Sequence, residues 1–340
     1  MPEIRSGKPT LKDIARLAGV SVGTASTAFS HPEKLKKQTL DRIMQVVQSL
    51  GYIRNGAAQA LVSQKTRTIA VTVPTIDNPL YSSLVASIQK VLVANGYHMV
   101  IGSHEYQFER EYEVIRFLIE KGIDGLIVVG AMHEERTFTM LTMSNIPYVI
   151  SLSLSDRAQQ HSVGISNFDA GYAMGNLVAS MGHKAIALSG GVQSSNERAL
   201  ERQQGALAAL EKYGIGVPEE WRIQHEISIS GGRDIFRKLW SMDAKPSVLI
   251  CSTDVQAIGV LDESRRYGVD VPGTLSVTGF DDIEYASLCT PPLTTVKMPI
   301  SEIGTRSTNH LLEIIQGKCP MRLEKLDTSI ILRESLAPAG

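Results

Sequence analysis

The sequence predicts a small all-α head followed by a larger α/β body, on three observations. Residues 10–50 carry apolar side chains at helical spacing, interrupted by tight turns. From residue 68 onward, short apolar strand-like runs alternate with amphipathic stretches, the pattern of parallel sheets covered by helices on both faces. Charge divides at the same place. Residues 1–65 hold ten Lys and Arg against four Asp and Glu, while the rest hold 24 against 31. A basic head on an acidic body suits a head that meets phosphate and a body that does not.

The head is organised around Thr10–Phe29, TLKDIARLAGVSVGTASTAF. Ile14, Ala15 and Ala18 share one face of a first helix, and Gly19 supplies the left-handed turn that ends it. Val20 follows as an apolar plug. Ser21 has the chemistry to cap a second helix, Val22–Phe29, in which Ala25 and Ala28 are small enough to pack against the first. Val22, Gly23, Ser26 and Thr27 are left pointing outward. This spacing is that of a helix-turn-helix, whose second helix enters the major groove of DNA. Ser30-His31-Pro32 breaks the chain, and a third helix over about Gln38–Leu50 brings Leu40, Ile43, Val46, Val47 and Leu50 to close a three-helix core. Residues 1–9 read as a loose basic tail offering Arg5 and Lys8 to the DNA backbone.

Length and composition bound the rest. A chain of 340 residues implies two or three domains with a substantial core. No apolar run of membrane-spanning length occurs, and MPEIRSGKPT has no apolar signal core, so a soluble cytoplasmic protein is expected. Cys251, Cys289 and Cys319 lie far apart without metal-ligand spacing. GxSxG, HExxH, Walker A and GxGxxG are all absent, so no catalytic grouping, metal or cofactor is expected. In the body, Thr68–Val73, His98–Gly102, Gly125–Val129, Tyr148–Leu152, Ala185–Ser189, Val248–Cys251 and Leu275–Phe280 read as strands. Helices are expected near 80–95, 109–121 and 134–144.

LKDIARLAGVSVGTAS and then LGYIRNGAAQAL resemble the head of the lactose-repressor family of bacterial transcription regulators. The resemblance continues through TIAVTVPTIDNPLYSSLVASI, GIDGLIVVG, FDAGYAMGNLVASMGHKAIALSGG, STDVQAIGVLDESRRYGVDVPGTLSVTGFDD and PPLTTVKMPISEIG, covering roughly residues 9–336. It implies a head at 1–55, a hinge helix and linker at 56–65, and a two-lobed body at 66–340 like the sugar-binding proteins of the periplasm. Lobe one would span 66–166 plus 294–325, and lobe two 167–293 plus 326–340. It also implies a homodimer on a pseudo-palindromic, double-stranded operator, with a small-molecule effector between the lobes. No leucine-heptad helix follows Ile330–Ser335, which favours a dimer over a tetramer.

The expected DNA contacts are Thr10, Ser21, Val22, Gly23, Thr24, Ser26 and Thr27, followed by Asn55, Ala58 and Leu61 in the hinge segment. The family's base-reading positions correspond to Val22, Gly23 and Thr27. Thr27 stands where an arginine is common, so a bidentate guanine contact is missing there. Leu61 matches the residue that wedges into the minor groove, and a helix as short as 56–63 folds only when paired on DNA. Gly56 and Arg54 depart from the family pattern. The expected effector contacts are Asn78, Tyr81, Arg198, Arg202, Thr253 and Asp281, with Asp77, Leu80, Asn196 and Asp254 beside them. The expected effector is a small sugar or sugar acid, and the two arginines favour a sugar acid or another anionic metabolite over a neutral sugar; Tyr81 could supply stacking, and Asp169 caps a helix or organises the inter-lobe hinge rather than touching ligand. The alternatives are corepressor or activator logic, a solute-binding protein, or an enzyme using the cleft.

Overall fold

The computed structural model describes residues 8–53, 65–155, 157, 160–191, 196–318 and 322–340, in two compact units that divide at Thr66. In the head, α1 (Leu11–Leu17), α2 (Val22–Ser30) and α3 (Lys37–Leu50) enclose a small core. Ile14 and Ile43 are fully buried there, with Ala15, Ala18, Ala25 and Ala28 around them. Thr10 and Asp13 form a reciprocal capping box at the start of α1. Gly19 takes φ +63, so its amide reaches Arg16 O and that of Val20 reaches Ala15 O. This closes α1 in the turn that only a residue without a Cβ adopts at no cost.

The body holds two six-stranded sheets. The first contains β1 (Thr68–Val73), β2 (His98–Ser103), β3 (Gly125–Val129), β4 (Tyr148–Leu152), β5 (Ser162–Gly164) and β11 (Leu323–Lys325), in the order β11-β5-β4-β3-β1-β2. The second contains β6 (Ile186–Gly190), β7 (Arg222–Gln224), β8 (Val248–Ile250), β9 (Ser276–Asp281), β10 (Thr294–Lys297) and β12 (Ser329–Ile331), in the order β12-β10-β9-β8-β6-β7. Among the described residues only β10 and β12 pair antiparallel. β3 and β6 are buried along their whole length, as strands covered on both faces must be.

Helices α4 (Pro79–Ala94), α5 (Phe108–Lys121) and α6 (Glu135–Met143) serve the first lobe. Helices α7 (Asn167–Ser180), α8 (Glu197–Lys212), α9 (Ile229–Ser241) and α10 (Asp254–Arg266) serve the second. α11 (Ile300–Ile315) returns to the first, against α4 and β4.

The chain therefore crosses between lobes three times, after Gly164, after Lys297 and after Lys325. The second crossing corrects the expected boundary at 293/294. β10 hydrogen-bonds alongside β9, Thr294 opposite Thr278 through Lys297 opposite Asp281, so it completes the second sheet before the chain leaves. Asp169 is paired with Lys325, which ties the first crossing to the third. His183, buried ahead of β6, links Ser247 Oγ, just before β8, to the Ala337 carbonyl of the C-terminal segment. Among the described residues no helix is long and apolar enough to cross a membrane.

α7 and α8 touch backbone to backbone. A Cβ at Gly171 would lie 2.0 Å from Arg202 O, and one at Gly205 would lie 2.0 Å from Phe168 O. This approach sets where the N-terminus of α8 meets the other lobe. Gly205→Ala is expected to destabilise the body by about 1–3 kcal/mol through overpacking. Urea unfolding of the full chain checks this, and the transition of the head should not move.

Candidate nucleic-acid interface and effector cleft

The surface of α2 follows from its packing. Ala25 and Ala28 turn inward, which leaves Val22 45 % exposed and Gly23 exposed beside it. Ser21 Oγ accepts from the amide of Thr24 at 3.0 Å and lies 2.8 Å from its hydroxyl. Ser21 thus caps the helix, and its hydroxyl is shared with Thr24. Thr27 Oγ1 donates to Gly23 O at 2.9 Å. With its proton spent there, the Thr27 hydroxyl faces outward as an acceptor and suits the exocyclic amines of adenine or cytosine. Ser26 is half-buried, and its carbonyl accepts from Ser30. Thr10 is committed to its cap: its hydroxyl donates to Asp13 Oδ2 at 2.7 Å. The hydrogen bonds from Thr10 hold the Asp13 carboxyl below its ordinary range, so a carboxylate stands beside Thr10, one of the expected DNA contacts. Asn55, Ala58 and Leu61 lie outside the described residues, as does the rest of 54–64.

In the body, a cleft of about 1150 Å³ opens between the lobes. Asp77 follows β1, Tyr106 and Gln107 follow β2, Ser228 follows β7, and Tyr285 follows β9. All stand at the carboxyl ends of parallel strands, where open α/β sheets bind ligands.

None of the six expected effector contacts lines this cleft, although their neighbours Asp77 and Asn196 do. Asn78 and Thr253 are buried helix caps, accepting from the amides of Leu80 and Gln256. Tyr81 is buried with its hydroxyl 3.1 Å from that of Tyr106, so it has no free stacking face. Arg198 donates to Tyr81 OH at 3.4 Å and to Glu197 Oε1 at 3.2 Å.

Arg202 stacks over Phe280 at 3.6 Å. It donates to Asn167 Oδ1, Ser252 O and Asp281 Oδ1, with Met298 Sδ at 3.5 Å. The expectation of an anionic effector rested on these two guanidiniums being open, and both are enclosed by protein partners.

Asp281 differs from the rest. It is buried at φ +120, and its second oxygen has no hydrogen-bond partner. Burial pushes its carboxyl up to about 7, against the pull of Arg202 and Arg198. Asp254 behind it is raised well above the carboxylate range by burial and by the charge of Asp281.

Sequence reasoning missed Tyr106, Gln107, Ser228 and Tyr285. Their one signal was position, since each follows an expected or short strand.

Glu197 joins the lobes directly. Glu197 Oε1 accepts from the Ala131 amide at 2.7 Å and from Ser153 Oγ at 2.9 Å, both in lobe one. The 130–133 loop that receives it is fixed by His133, whose Nδ1 lies 2.9 Å from Glu111 Oε2 and Nε2 2.8 Å from Gly130 O. His104 Nε2 lies 3.4 Å from the other Glu111 oxygen. Among the described residues no three His, Cys, Asp or Glu are grouped to hold a metal ion.

A helix-turn-helix with an exposed second helix, followed along the chain by a two-lobed body with a cleft, has the parts of a DNA-binding regulator with a small-molecule site. Residues 10–55 match the model of bacterial regulatory proteins of the lacI family, and residues 176–336 match a periplasmic binding protein-like domain. The HTH-type transcriptional repressor CytR of Escherichia coli K12 is 30 % identical over 336 residues, 96 % of each chain. A LacI-family transcriptional regulator from Silicibacter pomeroyi superposes with a TM-score of 0.88 at 25 % identity, covering 97 % of this chain and 99 % of its own. The lac repressor dimer bound to operator and the anti-inducer ONPF gives 0.85 at 25 % identity, covering 97 % and 100 %. The chain belongs to the lacI family of bacterial regulatory proteins, and it is a transcriptional regulator with a DNA-binding head.

Both neighbours of the His133 ring, the Glu111 carboxylate and the Gly130 carbonyl, accept hydrogen bonds, so the ring is held as an imidazolium. Burial pulls its pKa down, but the hydrogen bond and charge of Glu111, with the Gly130 carbonyl, more than offset this and raise it above 6.5. The stabilisation is therefore full below pH 6.5 and is lost as pH rises through the folded-state value. His133→Leu is expected to lower body stability by about 3 kcal/mol at pH 6. Melting curves from pH 6 to 9 should show this difference shrinking as pH rises.

Proposed function

We propose that the chain is a cytoplasmic homodimeric repressor that binds a pseudo-palindromic operator and answers to a small, sugar-sized effector in the inter-lobe cleft. The observation that carries this reading is the outward face of α2, where Val22, Gly23 and the acceptor hydroxyl of Thr27 stand clear of the core. Val22 meets a thymine methyl, and Thr27 reads an exocyclic amine. Ser21, Thr24 and Ser26 position the helix on phosphates, and Thr10 contributes through its cap. Asn55, Ala58 and Leu61 belong to a hinge segment that orders on DNA, with Leu61 entering the minor groove.

In the body the effector meets the cleft lining, Asp77 and Asn196 among it, and Asp281 stands outside that lining with an unpartnered buried oxygen that is costly until a donor meets it. Tyr81, Arg198, Arg202, Asn78 and Thr253 act one step back, by holding the strand ends that face the cleft. Repression is favoured over activation by the name of the CytR relative and by the operator complex of the lac repressor. Effector and operator must affect each other's affinity by the same factor.

Selection of bound fragments from genomic DNA tests this proposal. The full chain should enrich a pseudo-palindrome, with affinity that falls steeply as salt rises. Thr27→Arg should move the preference towards guanine at one base pair of each half-site, by about 1–3 kcal/mol. An unchanged consensus in that variant would remove Thr27 from the reading surface, and no enrichment by the parent chain would remove the function.

A further inference from the structure

The charged side chains lining the 1150 Å³ cleft are Asp77, Glu105 and Glu226, and no Lys, Arg or His lines it among the described residues. Glu105 is paired with Arg110 at 2.8 Å, which leaves Asp77 on the lobe-one wall and Glu226 on the lobe-two wall, both exposed. Between them lies a broad apolar surface that includes Ile227, Ile229, Ile258, Tyr285 and Leu288. Several of these are open to solvent: Ile229 is 44 %, Tyr285 58 % and Leu288 69 % exposed. The neutral polar groups of the wall are Thr75, Tyr106, Gln107, Asn196 and Ser228.

From this lining we infer that the cleft admits an uncharged or positively charged ring compound with a broad apolar face, and rejects acids. The inference rests on reading the cleft as the effector site, and it narrows that site's ligand class. An anion entering here loses its hydration and meets two carboxylates with no lining cation in return. The two guanidiniums that would receive it are enclosed by Glu197, Tyr81, Asn167 and Asp281. An amine or hydroxyl donor finds Asp77 on one wall and Glu226 on the other, while its ring covers isoleucine and tyrosine surface that is otherwise wet. A cation bound to both walls also draws the lobes together.

The test titrates the full chain with two planar fluorescent probes, cationic thioflavin T and the sulfonate anilinonaphthalene sulfonate, and with an Asp77→Asn/Glu226→Gln double variant. The cation should bind the parent chain at least about tenfold more tightly than the anion, and the double variant should abolish that preference. Equal or tighter binding of the anion, failure of both probes to bind, or an undiminished preference in the double variant would each overturn the inference. Operator binding measured in the same samples reports separately on the regulator reading.

Discussion

The body depends first on a buried charge that one lobe lends to the other. Glu197 begins α8 in the second lobe, yet its carboxylate is bound by the Ala131 amide and the Ser153 hydroxyl of the first. Arg198, next in sequence, lies against Gly130 and reaches Tyr81, again in the first lobe. Burial would raise the Glu197 pKa, but Arg198 and the two lobe-one donors overcome it and keep the group ionised. An ion pair of this kind contributes little net stability compared with apolar packing. Removing one partner, however, costs about 3–5 kcal/mol because the other is left bare. It therefore fixes a geometry more than it strengthens a fold.

Behind that latch, Arg202 joins the crossings to the second sheet. It holds Asn167 just after the first crossing and Met298 at the second, and it reaches the end of β9 through Asp281. Asp281 keeps one oxygen without a partner at the strand end. The close backbone approach of α7 and α8 places Glu197, Arg198 and Arg202 along one helix, so a shift of that helix moves latch and crossings together. A ligand that changes the distance between the cleft walls is felt at both.

The head and the main strands were legible in the sequence, because their signals are local. Gly19 and Ser21 each act on their own turn, and β1, β3 and β4 are apolar runs whose bounds match the expected ones. The three-residue strands β5, β7, β11 and β12 were not legible. SVG, RIQ, LEK and SII are too short to carry a period, and their pairing is decided by neighbours more than a hundred residues away in the case of β11 and β5. β10 reads TTVK, and its threonines gave no apolar run to place it in the second sheet. The site was half legible. The residue types gathered around the strand ends were expected, but whether Arg198 and Arg202 were open depended on Tyr81, Asn167, Asp281 and Met298, which only the fold brings to them.

The central claim is that the relation between the lobes governs the grip of the head on DNA. Fluorescence anisotropy on a selected operator, comparing the full chain with Glu197→Ala, tests it most directly, because this change releases the latch and leaves every head residue in place. The account predicts an operator affinity altered by at least about tenfold, some 1.4 kcal/mol, with the melting of the head unchanged. Equal affinities for the two proteins, with the body of the variant still folded, would contradict it.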